Sequence, residues 1–367
     1  MSRVQKHITE EERSWIRSQF FALRHPRDLA LLMRMKYRSL TYIAYGMDEG
    51  EKYHKFNIPK KSGGIRKISS PEKGLKGAQR KLNRILQCVY QPKPSTHGFV
   101  SRVSGSNRSV VSNAGRHVRK RFVLNIDLKD FFPTVNFGRI YGMFMAPPYN
   151  LPKNVAATIA QLCTFEGTLP QGAPTSPTLT NMICAKMDQR LQRLAAEHRC
   201  TYTRYADDIT FSTTNKRFPV ELAWLDEQGK THVGSDLLKV IDENGFEVND
   251  RKIRLQTREF RQEVTGITVN EIPNVPRTYV RQLRAMLHAW ERYGLEMAAK
   301  HHLLKNKRPH WTGATKDARK TFIRVLQGKL GYLAMIKGQD DQVFCKYAQQ
   351  FTKLSGISYP SKKMESL

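Results

Sequence analysis

The chain has 367 residues, enough for two or three compact units, and its 40% hydrophobic content excludes a disordered polymer. Lys and Arg number 62 against 32 Asp and Glu, a formal charge of +30 that a compact globule tolerates best with a polyanion beside it, nucleic acid above all. No apolar run approaches the roughly 18 residues of a membrane span, and the first 20 residues are charged where a signal peptide needs an apolar core. Five scattered cysteines (Cys88, Cys163, Cys184, Cys200, Cys345) without a C-x-x-C pair exclude a disulfide framework and a structural zinc site. The expectation is a soluble, cytoplasmic protein that binds nucleic acid.

In chain order, residues 9–47 predict helix, opened by a Thr9/Glu12 capping box and interrupted at Pro26. Residues 53–70 alternate on either side of Ser62, Gly63 and Gly64 and predict a basic hairpin. Residues 75–90 read as an amphipathic helix with a basic outer face. A strand is expected over 121–127. Ser176 as N-cap with Pro177 at the first helical position opens a helix to about Glu197. A hairpin follows over 202–212, a helix over 235–244 and a strand over 262–269. Beyond Pro273 and Pro276 strand alternation stops, and the rest reads as basic helices. The organisation expected is an N-terminal helical extension (1–50), an α+β body (51–270) and a basic helical unit (271–367).

The sharpest chemical signal is Tyr205-Ala206-Asp207-Asp208, two adjacent carboxylates at the turn of a hairpin between apolar strands. A surface turn with solvated acids has the same pattern. A second acid, Asp127, ends the apolar strand that begins at Phe122, with Asp130 beyond it expected in solvent. Two strand-borne acid sites suit a centre of two Mg²⁺ about 4 Å apart, which activates an attacking hydroxyl and stabilises the leaving oxygen of an in-line displacement.

The order of these pieces resembles the palm of right-hand polymerases in reverse transcriptases. Residues 127–132 look like the first metal-binding motif and 205–208 like the second. Residues 169–177, with Gln171, Gly172 and Asn181, resemble the loop and helix that position template and nucleotide. Residues 58–68, with Lys60, Lys61 and Arg66, resemble the fingers hairpin that holds the incoming triphosphate, and 245–252 the motif whose Lys252 protonates departing pyrophosphate. Phe132 stands where this family places an aromatic wall that selects dNTPs, or it is ordinary core. Two stretches narrow the resemblance to bacterial retron enzymes: Asn113-Ala114 with His117, and Val264-Thr265-Gly266.

The resemblance implies an α+β right-hand polymerase fold with fingers, antiparallel-sheet palm and helical thumb. Asp127, Asp207 and Asp208 would hold the two Mg²⁺, and Lys252 would complete the catalytic set. Lys60, Arg66, Phe132, Gln171 and Gly172 would contact the nucleotide, and Asn113, His117, Val264, Thr265 and Gly266 the RNA. It further implies an RNA-directed DNA polymerase that takes one structured non-coding RNA as primer and template and makes a branched RNA–DNA hybrid, with a separately encoded effector in antiphage defence. The alternatives are another bacterial reverse transcriptase of the group II intron kind, and a catalytically silent RNA-binding scaffold. In the last unit Tyr279, Trp290, Tyr293 and Trp311 are either core or stacking platforms.

Overall fold

A computed structural model describes residues 8–60, 63–101, 108–305 and 315–358. The chain divides into two compact units, one of Met1–Asn113 with Arg121–Thr257, the other of Ala114–Lys120 with Arg258–Leu367. The N-terminal helices thus belong to the first unit, and a short segment from the middle of the chain belongs to the second.

In the first unit, α1 (Glu10–Phe21) is capped by Thr9, whose hydroxyl accepts from the Glu12 amide at 3.1 Å. Pro26 starts a helix here: it is the first residue of α2 (Pro26–Leu32), where its missing N–H costs nothing. The short α3 (Tyr37–Thr41) runs into a π-helical turn (Tyr42–Gly46), and α4 (Glu49–Lys52) leads to the hairpin β1 (Tyr53–Pro59) and β2 (Ile65–Pro71). These strands pair antiparallel with Tyr53 opposite Pro71, and Gly63 and Gly64 supply the positive φ of the turn. α5 (Lys73–Val89) buries Leu75, Ala78, Leu82, Ile85 and Val89 on one stripe, leaving Lys73, Arg80 and Arg84 outside.

After α6 (Val110–Gly115), β3 (Phe122–Asp127) enters the centre of the unit, with Val123, Leu124 and Ile126 all buried. α7 (Phe137–Met145), α8 (Lys153–Cys163) and α9 (Ser176–Glu197) follow. The N-terminus of α9 lies one residue earlier than expected. Thr175 is the cap position, Pro177 the second helical residue, and the Ser176 hydroxyl donates instead to the Pro170 carbonyl at 2.8 Å. The hairpin β4 (Thr201–Tyr205) and β5 (Asp208–Thr213) comes next, then the small hairpin β6 (Ala223–Leu225) and β7 (Thr231–Val233), α10 (Ser235–Glu243), and β8 (Arg254–Thr257). The main sheet is antiparallel in the order β4-β5-β3-β8. The α+β class and antiparallel sheet are those expected.

In the second unit the expected strand over 262–269 is a tight hairpin of two very short strands, β9 (Glu263–Val264) and β10 (Ile267–Thr268). The Arg119 amide donates to the Val269 carbonyl at 3.2 Å, tying residues 114–120 to this hairpin. Three long elements complete the unit: α11 (Arg277–Lys305, two helical segments that meet at Gly294), α12 (Thr315–Lys337) and α13 (Gln342–Ser355). Trp290 packs edge-on against Phe322 and Phe351 in their common core, so it is no stacking platform. Tyr293 is exposed, and Trp311 lies outside the described residues. No helix among the described residues is long and apolar enough to cross a membrane.

Candidate active site

The site is built at one end of the main sheet. Register places Asp127, the last residue of β3, directly opposite Asp208, the first residue of β5. Tyr205 pairs with Asp208, so Ala206 and Asp207 alone form the hairpin turn. Ala206 has φ +59 and Asp207 does not share the positive sign, the pattern of a type II′ turn. Two adjacent residues of one strand would point to opposite faces; placing Asp207 in the turn frees it from that alternation. The Leu128 amide donates to the Asp207 carbonyl at 3.0 Å, locking β3 to the turn.

Burial and like charge dominate the electrostatics. Asp208 is pushed up to about 7, by burial first and then by the charges of Asp207 and Asp127, with Lys252 and Arg254 opposing. Asp207 is raised by burial and then by Asp127, against the pull of Lys252 and Arg66. Two neighbouring carboxylates both raised by burial and like charge lack compensating charge, and an all-oxygen anionic set of this kind suits a hard divalent cation. Among the described residues no three His, Cys, Asp or Glu side chains already converge on one metal-sized point. The Lys252 ammonium donates instead to Asp127 Oδ1 at 2.8 Å, and Asn249 Nδ2 reaches Asp127 Oδ2 at 3.2 Å. The loop from Gly245 to Lys252 is itself anchored here: the Asn249 amide donates to the Asp127 carbonyl at 2.8 Å, and the Lys129 amide to that of Glu247.

The proposed nucleotide contacts occupy the hairpin and the loop before α9. Lys60 and Arg66 are exposed, and Lys61 lies outside the described residues. The Gln171 carbonyl accepts from the Ser69 amide at 2.8 Å, which seats this loop on β2. Gly172 has φ +123, and a Cβ there would stand 2.9 Å from the Ser69 carbonyl oxygen, so only glycine fits without displacement. Phe132 is half-buried beside Phe99 and Phe131, with ring centroids 6.1 and 5.6 Å away. Asp130 is exposed, as expected, at φ +44.

The residues expected to meet RNA divide by burial. Asn113, His117 and Val264 are fully buried, so they can act on a ligand only by shaping the backbone around them. Thr265 (φ +47) and Gly266 (φ +84) are the two-residue turn between β9 and β10, with the signs of a type I′ turn and Gly266 outermost.

Sequence reading missed the support beneath the acid turn. Arg204 and Asp188 are both fully buried and form a bidentate pair, Nε to Oδ1 and Nη2 to Oδ2, each at 2.7 Å. Arg204 Nη1 also donates to the Ala206 carbonyl at 3.0 Å and to Asn181 Oδ1 at 3.1 Å. The only signal in the sequence was Asp188, an acid on the apolar face of a helix.

An antiparallel sheet that brings three carboxylates together at one end, beside a lysine and a basic hairpin, defines a candidate nucleotidyl-transfer centre. The family model for reverse transcriptase (RNA-dependent DNA polymerase) matches residues 58–313, well over half of the chain, and the chain belongs to that family. It is 40% identical over 254 residues to the retron Mx65 reverse transcriptase of Myxococcus xanthus, covering 64% of this chain and 55% of that protein. With the retron Mx162 reverse transcriptase of the same organism it shares 36% over 289 residues, 71% of this chain and 57% of the relative. The chain thus spans little more than half the length of these two curated relatives. Among solved structures, a telomerase from Candida albicans in complex with a fragment of telomeric RNA aligns at a TM-score of 0.45 and 10% identity, covering 82% of this chain and 63% of that one.

Proposed function

We propose that this chain is an RNA-directed DNA polymerase of the retron type. It starts from the 2′-OH of a guanosine in a dedicated structured RNA, copies part of that RNA, and leaves a branched RNA–DNA hybrid (msDNA). It works in the cytoplasm, in antiphage defence alongside a separately encoded effector. The observation that carries the polymerase reading is the register that sets Asp127 opposite Asp208 at one sheet end, with Asp207 in the adjoining turn. The family match and the similarity to retron enzymes support the finer reading.

Asp127, Asp207 and Asp208 would hold two Mg²⁺, which when bound supply the acidity for an attacking hydroxyl and charge stabilisation for the leaving oxygen. Lys60 and Arg66 bind the triphosphate of the dNTP by charge-assisted hydrogen bonds. Gly172 lets the backbone approach the base pair, Gln171 holds that loop on the fingers hairpin, and the Phe132 ring excludes a 2′-OH. Lys252, half exposed and carrying its proton at Nζ beside Asp127, is the donor for departing pyrophosphate. The exposed cations of the second unit and the turn at Thr265 and Gly266 grip the RNA by charge and shape.

The test is to sequence the RNA that copurifies with the chain, then incubate the complex with dNTPs and Mg²⁺. A DNA product joined to that RNA and released by a 2′,5′-debranching enzyme is expected. Incorporation only on generic primed templates would point to a group II intron-like enzyme, and none at all to a silent scaffold.

A further inference from the structure

The turn that carries Asp207 is held in a conformation its own sequence does not favour. Ala206 sits at φ +59, where an L-residue with a Cβ is strained, and a II′ turn ordinarily has glycine at this position. Such a conformation persists only where its surroundings over-determine it. Those surroundings come from three separate parts of the chain. From within the hairpin, Arg204 Nη1 donates to the Ala206 carbonyl at 3.0 Å. From α9, Asp188 takes both arms of the Arg204 fork, and Asn181 accepts from Arg204 while donating to the Gly98 carbonyl at 2.9 Å. From residues 95–98, the backbone docks along β4: the Arg204 amide donates to Ser95, and the His97 amide to the Arg204 carbonyl. Gly98 then lies so close that a Cβ on it would stand 2.5 Å from the Ala206 nitrogen.

The Asp188 carboxylate is saturated by further donors, the Tyr202 hydroxyl at 2.7 Å and the Thr96 hydroxyl at 3.0 Å. A buried ion pair is a poor source of net stability, since desolvating two charges offsets much of their attraction. Its value here is geometric. The guanidinium is a rigid planar fork; with two of its nitrogens fixed by Asp188, the third has one direction left, toward the Ala206 carbonyl and Asn181.

From this, and resting on the polymerase reading above, we infer that Arg204, Asp188, Asn181 and Gly98 form a positioning unit. It holds the strained Ala206-Asp207 turn so that Asp207 and Asp208 face Asp127. None of the four touches a reacting atom. They act through the turn, so their loss reduces turnover and divalent-ion binding more than it reduces folding or affinity for nucleotide.

Three variants test this on the full chain. Arg204→Lys keeps the charge and loses the fork. Arg204→Met/Asp188→Leu removes both charges and fills their volume. Gly98→Ala presses on the turn from the opposite side. The readouts are thermal melting, kcat and KM for dNTP on a primed template, and Mn²⁺ binding by water-proton relaxation without substrate. Arg204→Lys and the double variant should lose about 10- to 100-fold in kcat, since small misplacements of reacting groups cost this much. Their KM should stay within about twofold, with Mn²⁺ binding weakened. The double variant should melt near the parent, and Gly98→Ala should reproduce the kcat and Mn²⁺ effects with the ion pair intact. A double variant that folds, binds Mn²⁺ and turns over as the parent does would overturn the inference while leaving the polymerase reading standing. A folded parent that incorporates no dNTP on any template would overturn both.

Discussion

Replacing Asp208 by Asn should stabilise the metal-free protein, and by an amount that grows with pH. In the folded chain this carboxyl is raised from 3.8 to about 7, by burial and then by the Asp207 and Asp127 charges. A carboxyl whose folded value exceeds its unfolded value favours the fold only while protonated. Stability is therefore greatest below about pH 4, falls as pH rises toward 7, and levels off above it. Between pH 5 and pH 7 the loss is two pH units at about 1.4 kcal/mol each, or about 3 kcal/mol before discounting for the solvent that reaches this partly buried group. The amide has no charge to lose, so the advantage of Asp208→Asn should grow by about 2 kcal/mol between pH 5 and pH 8, or about 4–8 °C in Tm. Paired melting curves in EDTA across this range measure it. Adding Mg²⁺ at pH 8 should raise the parent's Tm and leave the variant's nearly unmoved. An increment that is the same at pH 5 and pH 8, or a variant less stable than the parent at pH 8 in EDTA, would refute the account of Asp207 and Asp208 as carboxylates short of compensating charge.

Three further outcomes follow from the site. Asp127→Asn and Asp207→Asn should each abolish primer extension while leaving RNA binding unchanged, because the acids and the RNA-gripping cations are different residues; residual synthesis above about 1% of the parent would contradict the metal assignment. Phe132→Ala should raise rNTP relative to dNTP incorporation about tenfold in a competition assay, and unchanged discrimination in a folded variant would return the ring to a packing role. Gly172→Ala forces a Cβ against the Ser69 carbonyl at 2.9 Å and a φ of +123, so it should raise the KM for dNTP severalfold and lower stability by about 1–3 kcal/mol, read by steady-state kinetics and melting.

The acids were legible from the residues alone because this chemistry demands particular types close together: Asp207 beside Asp208, and Asp127 closing an apolar strand. The two hairpins were equally legible, since their turns need residues that accept positive φ or tight reversal, and the second unit's helices showed in their lost strand alternation. What no local pattern encodes is register across distance. The pairing of Asp127 with Asp208 follows from β3 lying beside β5, strands that are remote in the chain. Segment 114–120 joins the second unit, where the Arg119 amide donates to the Val269 carbonyl, and a backbone amide is the same in every sequence. Asn113 and His117, expected to contact RNA, are buried completely by packing that no local pattern encodes. The Arg204–Asp188 pairing, hinted at only by an acid on the apolar face of α9, was hidden for the same reason. An arginine in a strand and an acid on a helix are ordinary at the surface, and only the closing of α9 over β4 leaves them desolvated, each the other's sole counter-charge within the network that grips the acid turn.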